Sequence, residues 1–331
     1  LDMLDFLEYF IEDPATGVIG LIVEALRDGE RLKSLAVRAH AAGKPIVALK
    51  LGRSEAGAGA ALAHSSRLAG NARAYDALFR AYGILQVPSI EAMAGACALL
   101  SAKIPAIEAQ NRGLICISTS GGGGGLVADF ASEYAIPLAG NPDGSWGGRT
   151  ADLIKTFDRA GPIFNPIDGG NLAGWPRLEQ ILECLEGEGD AGPVMFFGHM
   201  LPQARMDMAV AEILARRKQR TGSPIVCVAP GGLRGETNEF YYQHAIPVFT
   251  DMATCFMALS CIYRAMEFPG CDEAGVEDFA PETSRKISEL LGKHSPGTLL
   301  NEMLSGEILR AAGVSLVETE EVHSFDEATI L

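Results

Sequence analysis

The sequence predicts an α/β protein of two units, each a three-layer arrangement of helices on a parallel sheet. Three observations predict it. Short apolar runs such as residues 44–52, bounded by Pro45 and Gly52, have the pattern of strands buried on both faces. A helical period follows such runs: Ala72, Tyr75, Leu78, Phe79 and Tyr82 share one face, and Gly83 can end that helix. Finally, the order strand, helix, proline-led strand, third strand, small-residue helix occurs twice along the chain.

In chain order, residues 1–12 read as an amphipathic helix without a start signal. The first unit has strands at 17–24, 45–51 and 83–88, with a helix of about twenty residues after the first. The second unit repeats them at 192–198, 224–229 and 245–249. Ahead of these it places a strand at 111–118 that runs into five glycines. Expected boundaries are 1–105 and 106–268, with a joining segment near Ala106 to Asn111 and a linker over 269–331. Both ends read as cut, because the last residues, 324–331, enter a helix that has no partner. The copies differ at one place. Pro45 to Ile84 spans 39 positions and Pro224 to Ile246 only 22, so the first copy carries an insertion, and His64 lies in it.

With 331 residues there is chain for about two domains. Hydrophobic residues make up 48% and charged ones 21%, an ordinary globular balance. A net charge of −15 leaves no basic patch for a phosphate backbone, so nucleic acid is not expected as a partner. Seven cysteines without Cys-x-x-Cys spacing point to buried thiols, Cys116 and Cys227 inside strands, with neither disulfide nor zinc. No apolar run reaches membrane length, and no signal-peptide pattern is present, so the expected compartment is the cytoplasm.

Three stretches carry chemistry. Residues 54–70, rich in Gly, Ala and Ser, read as a mobile connection between a strand and a helix, at the sheet edge where ligands of α/β folds collect. His64 there is either a solvent-exposed loop histidine or a nucleophile carried between places. Glu24 ends the first strand at the same edge: a solvated strand end, or the carboxylate that orients the ring. In the second unit, Ser120, Gly121, Gly122 and Gly123 open a helix after a strand, which suits a single oxyanion; the alternative is a tight turn whose glycines serve packing. The run lacks the Gly-Lys-Ser/Thr of a nucleotide P-loop and the spacing of a dinucleotide fingerprint. Two more loops, Asn165 to Gly170 with Asp168 and Gly169 after an apolar dipeptide, and Gly198-His199 at the end of a strand, are candidate interface or substrate loops, and His199 is a second acid/base candidate.

Taken in order, these motifs resemble the NDP-forming acyl-CoA synthetases, relatives of succinyl-CoA synthetase, over nearly the whole chain. Residues 63–70 are similar to the family's phosphohistidine motif, usually Ser-His-Thr-Gly-x-Leu-Ala-Gly, with Ser65 and Ser66 in place of Thr and Gly and Arg67 adding a charge. The resemblance implies flavodoxin-like domains, His64 as the phosphorylated residue and Glu24 as its partner. It also implies that the Ser118 to Gly122 turn, with Asp129 after it, holds the phosphoryl group. Asn165-Pro166-Ile167-Asp168-Gly169-Gly170 matches a further family signature.

The implied reaction joins a small carboxylic acid to CoA with ATP, releasing ADP and phosphate through an acyl phosphate. ATP and magnesium would be bound by an ATP-grasp domain and CoA by a Rossmann domain, neither present here. Residues 298–314 resemble the start of the ATP-grasp domain. The expected partners are those domains, the acid and a second copy of the chain. The fragment alone would be inactive and would hold at most phosphate. Two other readings are a regulatory module of a protein acetyltransferase, against which His64 speaks, and a non-catalytic flavodoxin-like module for FMN, which few flanking aromatics support.

Overall fold

The computed structural model describes residues 1–65, 70–101, 113–140, 146, 148–156, 164–169, 175–187, 192–198, 204–270, 280–295 and 298–317. The expected boundary near residue 105, together with Gly170 and His199, lies outside them.

The chain opens on helix α1 (Met3–Glu12), and it does have a start signal. Asp2 accepts from the amides of Leu4 and Asp5 at 2.9 and 3.2 Å, and Asp5 accepts from the Asp2 amide at 2.7 Å. Two aspartates thus close the reciprocal capping box that Ser/Thr and Glu usually make, which is why the expected pattern missed it. Leu4, Leu7 and Ile11 are buried, and Lys44 Nζ binds the carbonyls of Phe10, Ile11 and Asp13 at the helix end.

The first sheet has the order β1 (Ile19–Val23), β2 (Ile46–Lys50), β3 (Leu85–Val87), all parallel, with Ile19 opposite Ile46 and Val47 opposite Leu85. Helix α2 (Gly29–Ala41) joins the first two strands and is 13 residues long rather than about twenty, because Gly43 at φ +65° turns the chain back. Between β2 and β3 lie α3 (Glu55–Ser65) and α4 (Ala72–Ala81). The second sheet has the order β5 (Ile167–Asp168), β4 (Ile115–Ser118), β6 (Val194–Phe197), β7 (Ile225–Val228), β8 (Val248–Phe249), again parallel throughout. Between β7 and β8 only α10 (Gly235–Gln243) intervenes, so α3 accounts for most of the first copy's insertion. Cys116 and Cys227 are buried in β4 and β7 as expected.

Three hydrophobic clusters fill the layers. One packs α1, α2 and α4 on the outer face of the first sheet. Another packs α7 (Gly148–Lys155), α8 (Trp175–Gly187), α9 (Ala204–Thr221) and α10 on the outer face of the second. The third crosses the expected boundary between the two units. It joins Val47, Leu49, Leu85 and Val87 of the first sheet to Cys116, Met195, Phe197 and Val228 of the second. Between them lie α5 (Ile90–Ser101), α6 (Gly121–Glu133) and α11 (Met252–Glu267). Gly95 lets α5 come close: a Cβ there would sit 2.5 Å from the Phe249 ring and 3.3 Å from Ala258. Burying one shared helical layer removes more apolar surface from water than two open faces would. Residues Leu1–Cys271 accordingly form one compact unit. Asp272–Leu331 form a second, with α12 (Pro281–Leu291) and α13 (Glu302–Ala311), neither of which buries a residue.

Candidate active site

Of the predicted residues, Glu24 and Ser120 to Gly122, with Asp168, Gly169 and Gly198, fall at the carboxyl ends of strands. At the first sheet, Glu24 follows β1 directly and is half-buried. Its carbonyl accepts from Lys50 Nζ at 2.8 Å, and Lys50 also binds the carbonyl of Leu51. This ammonium is 2% exposed and lies 4.5 Å from the centre of the Tyr75 ring. Burial, aided by nearby Arg53, holds its pKa below the ordinary lysine value. The Tyr75 hydroxyl in turn accepts from the Leu26 amide at 2.7 Å. The backbone from the Glu24 carbonyl to the Leu26 amide is therefore fixed by two side chains from neighbouring elements.

His64 belongs to helix α3, not to a loop. Alanine at positions 56, 58, 60, 61 and 63 supplies the strongest helix propensity, enough to offset Gly57 and Gly59. Ser54 starts the helix by accepting from the Gly57 amide at 3.1 Å, with the Ala58 amide on its carbonyl at 2.8 Å. Residues 66–69 of the motif are outside the described residues.

At the second sheet the ladder brings three predicted loops together. Ser118 pairs in register with Phe197 on one side and Asp168 on the other. Gly169 donates to the Ser118 carbonyl at 2.7 Å, Thr119 to the Phe197 carbonyl at 3.0 Å, and Gly198 to the Val228 carbonyl at 3.1 Å. Ser120 is the cap of α6, accepting from the Gly123 amide at 3.3 Å, while Ser118 Oγ ties the turn to the Ser120 backbone.

The five glycines divide by role. A Cβ on Gly123 would lie 2.2 Å from Phe197, so that position serves packing. Gly121 and Gly122 are exposed, and a Cβ on Gly122 would meet only Ser120 Oγ, at 4.0 Å. Both stand at the positive end of a 13-residue helix, an arrangement that could seat an oxyanion. Asp168 borders it: a Cβ on Gly121 would be 3.2 Å from Oδ2.

Asn165 is structural rather than a substrate-loop residue. It is 5% exposed, accepts from the Cys116 amide at 2.9 Å and donates to the carbonyls of Leu114 and Ala139 at 2.7 and 2.9 Å. Its amide completes backbone pairing at the start of β4, a need that arises only once the strands are assembled. Gly198 likewise serves close packing, since a Cβ would lie 2.4 Å from the Phe196 ring.

Residues 1–100 match the family model of the succinyl-CoA ligase like flavodoxin domain. The chain is 29% identical over 322 residues to ADP-forming acetate–CoA ligase I of Archaeoglobus fulgidus, covering 96% of this chain and 43% of that protein. To the alpha subunit of ADP-forming acetate–CoA ligase I of Pyrococcus furiosus it is 30% identical over 278 residues, covering 80% and 56%. The structure resembles the Ca. Korarchaeum cryptofilum dinucleotide forming acetyl-coenzyme A synthetase 1 in complex with phosphate and ADP, with TM-score 0.66, 26% identity and coverage of 80% and 56%. The chain is thus similar, over most of its length, to ADP-forming acetate–CoA ligases. It spans about half the length of the curated relatives it matches.

At the first sheet edge, sequence reasoning missed Lys50 and Tyr75. The signal for Lys50 was visible: a lysine inside a strand whose other four residues are apolar and buried. Tyr75 was assigned only to a helix face, and its hydroxyl contact depends on how α4 packs. Among the described residues no group of three His, Cys, Asp or Glu could hold a metal, and no helix is long and apolar enough to cross a membrane.

Proposed function

We propose that this chain is the phosphoryl-carrying core of an ADP-forming acyl-CoA synthetase, which converts a carboxylic acid, CoA and ATP to acyl-CoA, ADP and phosphate. The observation that carries the reading is the inserted helix with His64, present in the first α/β unit only, which follows β2, the strand paired with β1, after which Glu24 stands. The names of the relatives and the open glycine turn at α6 support it.

In this reading a ring nitrogen of His64 attacks the γ-phosphorus of ATP; an N–P bond forms, the bond to the bridging oxygen breaks, and ADP leaves. Glu24 accepts the hydrogen bond of the other ring nitrogen and stabilises the cationic ring. The phosphoryl group then meets the α6 terminus, where the amides of Gly121 and Gly122 and the Ser120 hydroxyl hold its oxygens, the Gly123 amide being taken by the Ser120 cap. A helix terminus supplies only about 0.3–2 kcal/mol to an anion, so holding the acid's carboxylate in line contributes more. That carboxylate takes the phosphoryl group as the N–P bond breaks. The CoA thiolate attacks the acyl carbon and phosphate departs. Magnesium would offset the charge of the nucleotide phosphates on the nucleotide-binding domain, and no residue of this chain is assigned to it.

The full-length protein, incubated with γ-phosphate-labelled ATP, should acquire a label that is lost in acid and kept in base. His64→Ala should remove the label and net synthesis, and His199→Ala should keep both. Label retained in His64→Ala overturns the assignment; absence of any label favours a regulatory module. Release of AMP and pyrophosphate in place of ADP would place the protein in another ligase class. The cytoplasm is the proposed compartment.

A further inference from the structure

A cleft lined by arginines is formed by elements other than α6. Arg53, just beyond β2, Asp76 and Arg80 on α4, and Arg264 in the last turns of α11 line a cleft of about 630 Å³. Gln86 of β3 and Pro88 after it also line it. Arg53 is committed to Asp76 through two bonds, at 2.6 and 3.0 Å, which hold the Asp76 carboxyl below its usual range. Arg264 makes a single long contact, at 3.4 Å, with the Gln86 carbonyl. Arg80 makes no ion pair with the described residues, and both Arg80 and Arg264 are exposed.

Each of these two arginines has a local reason to be where it is, since the last turn of a helix favours a cation. Their convergence with Arg53 has no such reason. Three guanidiniums face one carboxylate in a chain whose net charge is −15, so the cleft is a positive spot on an acidic molecule. The planar fork of arginine matches phosphate oxygens two at a time. The volume exceeds a single phosphate and lies within the range of small-ligand sites, about 300–1,000 Å³. We propose that this cleft binds a phosphate-bearing polyanion, held by Arg80 and Arg264, with Arg53 shared between the ligand and Asp76. Because Arg53 directly precedes Ser54, the cap of α3, a ligand here would reach the base of the helix that carries His64.

Titration calorimetry of the 331-residue chain with inorganic pyrophosphate, orthophosphate and ADP tests this. Pyrophosphate should bind saturably, with an affinity that falls as salt rises. Arg80→Gln and Arg264→Gln should each weaken it about tenfold, whereas Asp76→Asn should strengthen it severalfold by releasing Arg53. A gain of binding cannot come from a damaged fold. Tighter binding of ADP than of pyrophosphate supports the cleft with a nucleotide as its source, and the reverse order supports it with a free inorganic anion. His64→Ala should leave binding unchanged, so the result is separable from the phosphohistidine reading. Absence of saturable binding by any of the three, or binding kept in Arg80→Gln and Arg264→Gln but lost in Ser120→Asp, overturns the proposal.

Discussion

Lys50 Nζ donates a 2.8 Å hydrogen bond to the carbonyl oxygen of Glu24, which ties the end of β2 to the residue proposed to orient His64. Lys50→Met keeps the length of the side chain and removes the donor. It should cost about 1–3 kcal/mol in denaturant unfolding, because the Glu24 and Leu51 carbonyls lose a charged partner. The wild type should also show a pH signature. Burial lowers the folded-state pKa of Lys50 below the ordinary 10.5, so the unfolded chain holds this proton more tightly. Stability from this group therefore rises with pH between the lowered value and 10.5, and Lys50→Met should abolish that rise.

Glu24→Gln should leave the fold intact and reduce both histidine labelling and net synthesis in the full-length protein, since an amide cannot stabilise a cationic ring as a carboxylate does. Labelling equal to wild type would remove Glu24 from the mechanism.

The glycine turn offers a matched pair. Gly123→Ala should destabilise the chain, because its methyl would overlap the Phe197 ring at 2.2 Å. Gly125→Ala has nothing within 4 Å of the new methyl and should stabilise α6 by about 0.5–1 kcal/mol. Thermal melts of the two variants should move in opposite directions.

Asn165→Ala strands one amide and two carbonyls at the start of β4 and should cost about 3 kcal/mol or more. Unchanged denaturant stability would mean that water replaces the side chain.

At Gly83, φ is +65° and a Cβ would lie 2.5 Å from the Phe268 ring. Gly83→Ala should therefore lose at least the ~1–2 kcal/mol of the left-handed conformation, with the ring contact added to it. Gly29→Ala, with open space and no positive φ, should be neutral or stabilising.

Much of the fold was legible because its signals are local. The apolar run 44–52 needs only its own residues to declare a buried strand, and Gly83 ends α4 as its position in the pattern implies. The glycine run at 121–125 announced a helix terminus, and Ser120 caps it. His64 was found through an insertion, but its setting was misjudged. Counting glycines suggested a loop, whereas the alternating alanines decide for a helix.

Sequence patterns were enough for the parallel α/β class, for most of the strand order, and for naming His64, Glu24 and the α6 turn as candidate groups. Each rests on neighbours in the chain. Only the tertiary structure decided that α5, α6 and α11 form one layer shared by both sheets, because an apolar helix face does not specify which of two apolar surfaces covers it. It likewise decided that Asn165 serves the backbone of β4 rather than a substrate. It also drew Arg53, Arg80 and Arg264, from three separate elements, around one cleft. Such contacts join residues far apart in sequence, and their partners are chosen by packing and by the need to satisfy buried polar groups, neither of which a local pattern encodes.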